Sequence, residues 1–240
     1  LLNVGFDNSQ VGLLIAAAGL LSALLQPLAA AYADRPKSMA LKWIIFLLTA
    51  LCFGGSLVLM AAGGQKIVAG CYGLCMVLLQ LTTPLVNALG IATVNSGEKM
   101  NFGVARGFGS LGYGVAAYLI GVLTDSKGAG AVPLCMGATL LVLLLVTLDY
   151  KKVKRIPETP KAAAPAQGGF LHRYPRYCLV LVGLVFLFIS HVVLNSFTYQ
   201  IVVYKGGDSA QMGKAMAFAS LLELPIMFLF GRMQKKVRCH

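Results

Sequence analysis

The sequence predicts an all-α integral membrane protein, a polytopic bundle of seven transmembrane helices. Three observations carry this. Of its 240 residues, 58% are hydrophobic and only 12% are charged, about half the charged share of a soluble domain. The mean hydropathy is correspondingly high, at +0.79. The charges are also confined to short stretches, leaving long runs without Lys, Arg, Asp or Glu. Each such run is about long enough to cross the roughly 30 Å hydrocarbon layer as a helix, which takes about 20 residues. A membrane-barrel strand would alternate apolar and polar residues over about 10 residues; these runs are apolar all round.

The spans follow in order from the charges that bound them. The first, 11–33, lies between Asp7 and Asp34, and the second, 41–62, fills the gap from Lys42 to Lys66. The third, 67–92, runs between Lys66 and Glu98, and the fourth, 106–123, between Arg106 and Asp125. The fifth, 131–149, lies between Lys127 and Asp149, and the sixth, 178–203, between Arg176 and Lys205. The seventh, 211–231, holds an interior charge, Glu223. Lys214 sits near its start, where the long side chain can snorkel to the interface.

The net charge of +12 does not indicate nucleic acid, because its distribution follows membrane sidedness. Numbering loops alternately by side places sixteen Lys and Arg residues on one side. The other side holds four, Lys66, Lys127, Lys205 and Lys214. This is the positive-inside bias, so the richer side is expected to be cytoplasmic. The N-terminus then lies outside and the C-terminus inside a plasma membrane, of the bacterial inner-membrane kind. The six cysteines lie in or beside apolar spans and read as small buried hydrophobes. No cofactor or metal motif is visible. The chain starts at Leu1 and stops on a basic run, which reads as a piece of a longer protein.

One loop is long. Residues 150–176, "YKKVKRIPETPKAAAPAQGGFLHRYPR", are basic and then rich in Pro, Ala and Gly, the composition of a flexible linker. It divides a first unit, 1–149, from a second, 177–240. An internal repeat crosses this division. "LLQPLAAAYADRPK" (24–37) aligns without gaps on "LLELPIMFLFGRMQ" (221–234), placing Gln26 on Glu223 and Arg35 on Arg232. Upstream, "NSQVG" (8–12) resembles "SAQMG" (209–213) with a slip of four residues. Copies six spans apart are the pattern of transporters built from two six-helix halves. The first span is then helix 2 of twelve, and the chain covers helices 2 to 8.

Two motifs carry a family resemblance. "AYADRPKSMALKW", with Asp34, Arg35 and Lys37, resembles the helix 2–3 loop of the major facilitator superfamily, although Ala30 stands where that motif has Gly. The resemblance implies a cytoplasmic gate formed by Asp34 and Arg35, with Arg232 in the second copy. The alternative is an ordinary basic loop. "NFGVARGFGSLGYGVAAYLIG" (101–121) resembles helix 5 of the lactose permease branch, proton-coupled sugar and nucleoside symporters. By that resemblance Arg106 would grip solute hydroxyls and Tyr113 would stack on a ring. Arginine's planar fork suits the first role and an aromatic face the second. Alternatively Arg106 is a helix-end anchor, and Gly103 and Gly107 serve close helix packing. "PLVNALG" (84–90) is similar to the helix 4 segment that carries a sugar-binding glutamate; here the position is Asn87. Amide for acid, and tyrosine for tryptophan at 113, argue against a galactoside.

In the sixth span, His191, Asn195 and Thr198 share one helix face, lining a cavity or packing between helices. Glu223 is the most informative residue. A carboxyl at the middle of a span costs insertion about 2.5–3.5 kcal/mol, so function is the default reading. The lactose permease branch has a helix 8 glutamate in a similar context, and Glu223 matches it. The resemblance implies proton coupling; a hydrogen bond between helices is the structural alternative. The expected protein is therefore not an enzyme but a secondary active transporter. It would take up a small polar solute, a sugar, oligosaccharide or nucleoside, with protons by alternating access. Its candidate solute-binding residues are Arg106, Tyr113, Asn87, His191, Asn195 and Gln26, with Glu223 for coupling. Its partners would be the lipid bilayer, solute and protons, without nucleic acid, and the full-length form would be a monomer. A seven-helix receptor or a drug-efflux antiporter are the alternatives.

Overall fold

The computed structural model describes residues 1–35, 38–61, 63–97, 102–150 and 174–236, without the side chains of Asn3, Phe102 and 226–236. After a short 3-10 turn, Leu2–Val4, these residues form seven long helices and no strand. They are α1 Asn8–Asp34, α2 Leu41–Ala61, α3 Gln65–Asn95, α4 Phe102–Lys127, α5 Ala131–Asp149, α6 Pro175–Tyr204 and α7 Ser209–Lys236. Helices α1 to α6 are long and apolar enough to cross a membrane. The seventh, 28 residues long, carries Lys214 and Glu223. The predicted linker, 150–176, falls mostly outside the described residues.

Helices α2 and α5 keep to their apolar spans, while the other five outrun theirs, two of them from starts capped by a polar residue that hydropathy passes over. The 31 residues of α3 make a rod of about 46 Å, longer than the hydrocarbon is thick. At the start of α1 the Asp7 carboxylate accepts the Gln10 N–H at 2.7 Å, and the Gln10 side chain accepts the Asp7 N–H at 3.1 Å. This reciprocal cap satisfies two donors that a helix start leaves orphaned. The α7 start repeats it in part: Asp208 accepts the Gln211 N–H at 2.6 Å. The four-residue slip in the repeat thereby has a structural reading. Asp7 corresponds to Asp208, and α1 holds four more residues before its repeat partner of Glu223. Four residues are about one turn, so the helix face is kept.

Helix α2 packs between α3 and α5. Lys42, Ile45, Thr49, Cys52 and Ser56 are all buried and stand three or four apart, forming one stripe. The stripe packs on α3 and α5, while α1 packs on α3. Contact is close because the side chains are small. A Cβ at Gly55 would lie 2.6 Å from the Cys75 sulfur, and one at Gly137 would lie 3.2 Å from Ser56 Oγ. Cys52 and Cys75 each point their thiol at the other's backbone carbonyl, at 3.8 and 3.6 Å. These two cysteines are the small buried groups the sequence predicts. At the basic end of the bundle, the buried Lys42 ammonium donates to the carbonyls of Leu148 and Tyr150 at 2.8 and 2.6 Å. It places positive charge on the negative end of α5. The Tyr150 hydroxyl pairs with Thr93 Oγ1 at 2.6 Å, so the ends of α3 and α5 meet the start of α2.

The most extensive pairing joins α4 to α7. They run antiparallel: late α4 meets early α7. A Cβ at Gly121 would lie 2.6 Å from the Ser209 carbonyl oxygen and 3.0 Å from the Gly213 Cα. One at Gly213 would lie 2.7 Å from the Ala117 carbonyl oxygen, and one at Gly114 3.0 Å from Ser220 Cβ. Ser110, Gly114, Ala117 and Gly121 on α4 thus face Gly213, Ala217 and Ser220 on α7. Both sets repeat at four- and three-residue steps, a seam of small residues of the kind membrane helices use for close approach. The close approaches at Gly114 and Gly121 lie further along α4 than the Gly103 and Gly107 pair the sequence singles out, of which Gly107 is also buried. Helix α6 has no buried residue; it meets α7 lightly, and Phe197 approaches Gly12 of α1.

In the intact protein, Gly121→Leu and Gly213→Leu should each destabilise by about 1–3 kcal/mol through overpacking. Gly19, which has no heavy atom within 4 Å of a built Cβ, is the control, and Gly19→Leu should stay within about 0.5 kcal/mol of the parent. Thermal unfolding in detergent reads both. Equal effects at all three positions would contradict the seam.

Candidate functional site

The α4–α7 seam has two unlike flanks. At about 100° per residue, Arg106 and Tyr113 of α4 fall to one side of the small-residue stripe. Met216 and Glu223 of α7 fall to the same side, because the helices are antiparallel. On that flank Ser110 Oγ donates to Glu223 Oε2 at 3.1 Å, and the Tyr113 hydroxyl points to the Met216 sulfur at 3.9 Å. Glu223, Arg106 and Tyr113 are all exposed, while Ser110 is half-buried. The other flank is an apolar groove lined by Leu111, Val115, Tyr118 and Leu221, among others. Polar side chains therefore gather on one side of the crossing and hydrocarbon on the other.

Ser110 stands four residues after Arg106 and three before Tyr113, so all three ride one face of α4 over two turns. The flank then offers a guanidinium, a hydroxyl, a phenol and a carboxyl within one patch. That set can donate to and accept from a hydroxylated solute. The Ser110–Glu223 bond is also long-range: its partners stand 113 residues apart, one on either side of 150–176.

The remaining predicted residues lie elsewhere. Gln26 on α1 is half-buried and its side-chain amide donates to the Gln80 carbonyl of α3 at 3.2 Å. The chemistry of that partner is specific. Pro84 lies four residues after Gln80 inside α3, and proline has no N–H to close the helical bond to that carbonyl. Gln26 supplies the donor that Pro84 lacks. Asn87 is half-buried one turn beyond Pro84, on a helix that touches α4 only lightly. His191 and Asn195 form their own pair on α6. Asn195 Nδ2 lies 3.1 Å from His191 Nε2 and donates to the His191 carbonyl at 2.9 Å. Both are exposed. Asp34 ends α1, and Arg35 caps it with an N–H bond to Tyr32 O. Arg232 lies in α7 with its side chain outside the described residues. Among the described residues no cluster of three His, Cys, Asp or Glu side chains could hold a metal ion.

Sequence reasoning passes over Ser110 and the bracing role of Gln26. Serine is common and small, and only its place midway between Arg106 and Tyr113 marks it. Gln26 and Pro84 are each visible, but their partnership depends on which helices touch.

The model of the MFS_1 like family matches residues 1–238. The chain therefore belongs to that family, and it is a multi-pass membrane transporter. No curated protein and no solved structure matches it.

The Gln26–Gln80 contact generates a double-mutant test. Gln26→Leu should destabilise the intact protein by about 1 kcal/mol, the usual effect of leaving a part-buried carbonyl without a donor. In a Pro84→Ala background the new N–H can reach Gln80 itself, so Gln26→Leu should then cost much less. A coupling of about 0.5–1.5 kcal/mol in thermal unfolding is expected; strict additivity would show that Gln26 does not serve that carbonyl.

Proposed function

We propose that the protein takes up a small polar solute, a sugar, oligosaccharide or nucleoside, together with protons, by alternating access. The observation that carries this reading is the polar flank at the α4–α7 crossing. There Glu223 meets Ser110 across the division of the chain, with Arg106 and Tyr113 on the same face. Arg106 binds solute hydroxyls through its forked donors. Tyr113 offers a ring face. Glu223 is the proton carrier, and Asn87, His191, Asn195 and Gln26 belong to the wider solute path. On the strength of the repeat, α1 to α7 correspond to helices 2 to 8 of a twelve-helix fold, and residues 150–176 join its halves. The basic loops face the cytoplasm, as the positive-inside bias favours, with Asp34, Arg35 and Arg232 at a gate on that side of the plasma membrane. The full-length protein acts as a monomer.

In this mechanism both halves pack around the solute and rock about it. A proton bound at Glu223 neutralises a charge that would otherwise have to sit in hydrocarbon while the cavity is closed to water. Its release on the cytoplasmic side leaves the carboxylate free to be reloaded from outside. Arg106 stays charged throughout, so it fixes the solute rather than carrying protons.

Transport by the intact protein in energised vesicles tests this, with a panel of labelled sugars, oligosaccharides and nucleosides. Glu223→Gln keeps shape and hydrogen bonding but cannot release a proton. It should lose pH-driven uphill accumulation and keep exchange of labelled for unlabelled solute. Glu223→Asp should be intermediate. Arg106→Lys should raise KM about ten- to a hundredfold, since loss of one hydrogen bond to a charged group costs about 1.5–3 kcal/mol. Uphill accumulation by Glu223→Gln at the parent level would refute the assignment of Glu223.

A further inference from the structure

We propose that the apolar groove at the α4–α7 crossing is a phospholipid site. It takes one acyl chain, while Lys214 holds the phosphate and Asp125 the ammonium of a zwitterionic head. The inference does not use the transport reading; it rests on the flank of the seam opposite Glu223. The groove has a volume of about 190 Å³ and is walled by Leu111, Val115, Tyr118, Leu119 and Leu221. Gly114 and Ala217, the small residues of the seam, form its base.

Depth along the two helices can be counted from the level where Gly121 meets Gly213. Leu119 is two residues deeper than Gly121 and Leu111 ten, so the groove covers about 12 Å of the α4 axis. Helix α4 is long and apolar enough to span the membrane, which puts this stretch at hydrocarbon depth.

Charge appears at the shallow end. Lys214 stands seven residues before Leu221 on α7, and Asp125 seven after Tyr118 on α4. Residues seven apart share a helix face, so both charges stand over the mouth of the groove. Lys214 lies one residue deeper than the Gly121–Gly213 level and Asp125 four residues shallower, about 7 Å apart along the axis. Cβ bonds tilt toward the N-terminus of their own helix. In antiparallel helices this leans Lys214 outward and Asp125 inward, so the two charged heads converge on one level. Both residues are exposed. Among the described residues neither side chain has a hydrogen-bond or ion-pair partner.

That arrangement complements a lipid with both charges. A purely anionic head would meet like charge at Asp125. A zwitterionic head brings its phosphate to the lysine and its own ammonium to the carboxylate, and each contact is charge-assisted. The lysine stem lies along apolar surface while its charge stays at the interface. The acyl chain then runs inward over Leu119 and Val115 toward Leu111.

The full-length protein, stripped of lipid in detergent, is titrated with phosphatidylethanolamine or with phosphatidylglycerol of identical chains. Bound lipid is counted by native mass spectrometry. The parent should hold one phosphatidylethanolamine about five- to tenfold more tightly than phosphatidylglycerol. Lys214→Ala should weaken that binding about tenfold, the size of one lost charge-assisted bond, and Lys214→Arg should keep it. Asp125→Asn should abolish the preference between heads. Val115→Trp fills the groove, leaves the head contacts in place, and should also lose the tight lipid. Lys127, two residues on and about 200° around α4 from Asp125, is the control, and Lys127→Ala should bind like the parent. Positions 115, 125, 127 and 214 are all exposed, so these variants keep the fold. Equal weakening in Lys214→Ala and Lys127→Ala overturns the proposal, because general attraction of charge would then explain binding. Parent-like binding by Val115→Trp overturns it too, since the tail would lie elsewhere. Equal affinity of the parent for both lipids shows a nonspecific annulus and overturns the assigned head.

Discussion

Hydrocarbon offers no hydrogen-bond partner, and this lack governs the whole structure. Every backbone group in a span must be satisfied from within the protein, which leaves helices as the form these apolar runs can take. The same demand falls on side chains. Ser22, Thr82, Thr93, Thr147 and Ser220 all turn their hydroxyls back onto the carbonyl four residues earlier. Where proline breaks the pattern in α3, a glutamine from α1 reaches over to repair it. Where α5 ends, a lysine from α2 covers its last carbonyls. These repairs join helices as a by-product of satisfying backbone.

Lipid also removes the drive that packs a soluble core, since tails are as apolar as leucine. Association then depends on how closely backbones approach. This explains why the most buried side chains include Ser22, Ser56, Thr49 and Cys52, while leucines such as Leu13 and Leu179 are about three-quarters exposed at 73% and 74%. Small polar residues thus share the interior with Ile45, Leu78 and Leu85, while many large apolar side chains face outward, as the exposed surface of α6 also shows.

Much of this was legible in the sequence and some was not. The helices were, because a charge-free run of span length has few other uses. Their ends were less so: Asp7, Gln10 and Asp208 are polar, and an apolar-run criterion stops short of the residues that cap. The stripe on α2 follows from three- and four-residue spacing, but its partners do not, since periodicity names a face and not what faces it. That limit also hid the pairing of α4 with α7. Glu223, Arg106 and Tyr113 were legible individually, through cost in hydrocarbon or through family likeness. Their placement on one flank required the antiparallel contact. Gln26 was read from the repeat as a solute ligand, and the structure adds a local task that depends on Pro84 in another helix.

The α4–α7 seam has one further consequence. Where Gly121 meets Gly213, the nearest atoms on either side are main-chain: the Ser209 and Ala117 carbonyl oxygens and the Cα atoms of the two glycines. Interlocked leucines resist displacement because each must leave one rotamer well and find another. A contact of bare main chain has no such teeth. Two helices meeting this way behave like polished bearings: they can roll or shift by a fraction of a turn with little friction, yet stay close enough to keep lipid tails out.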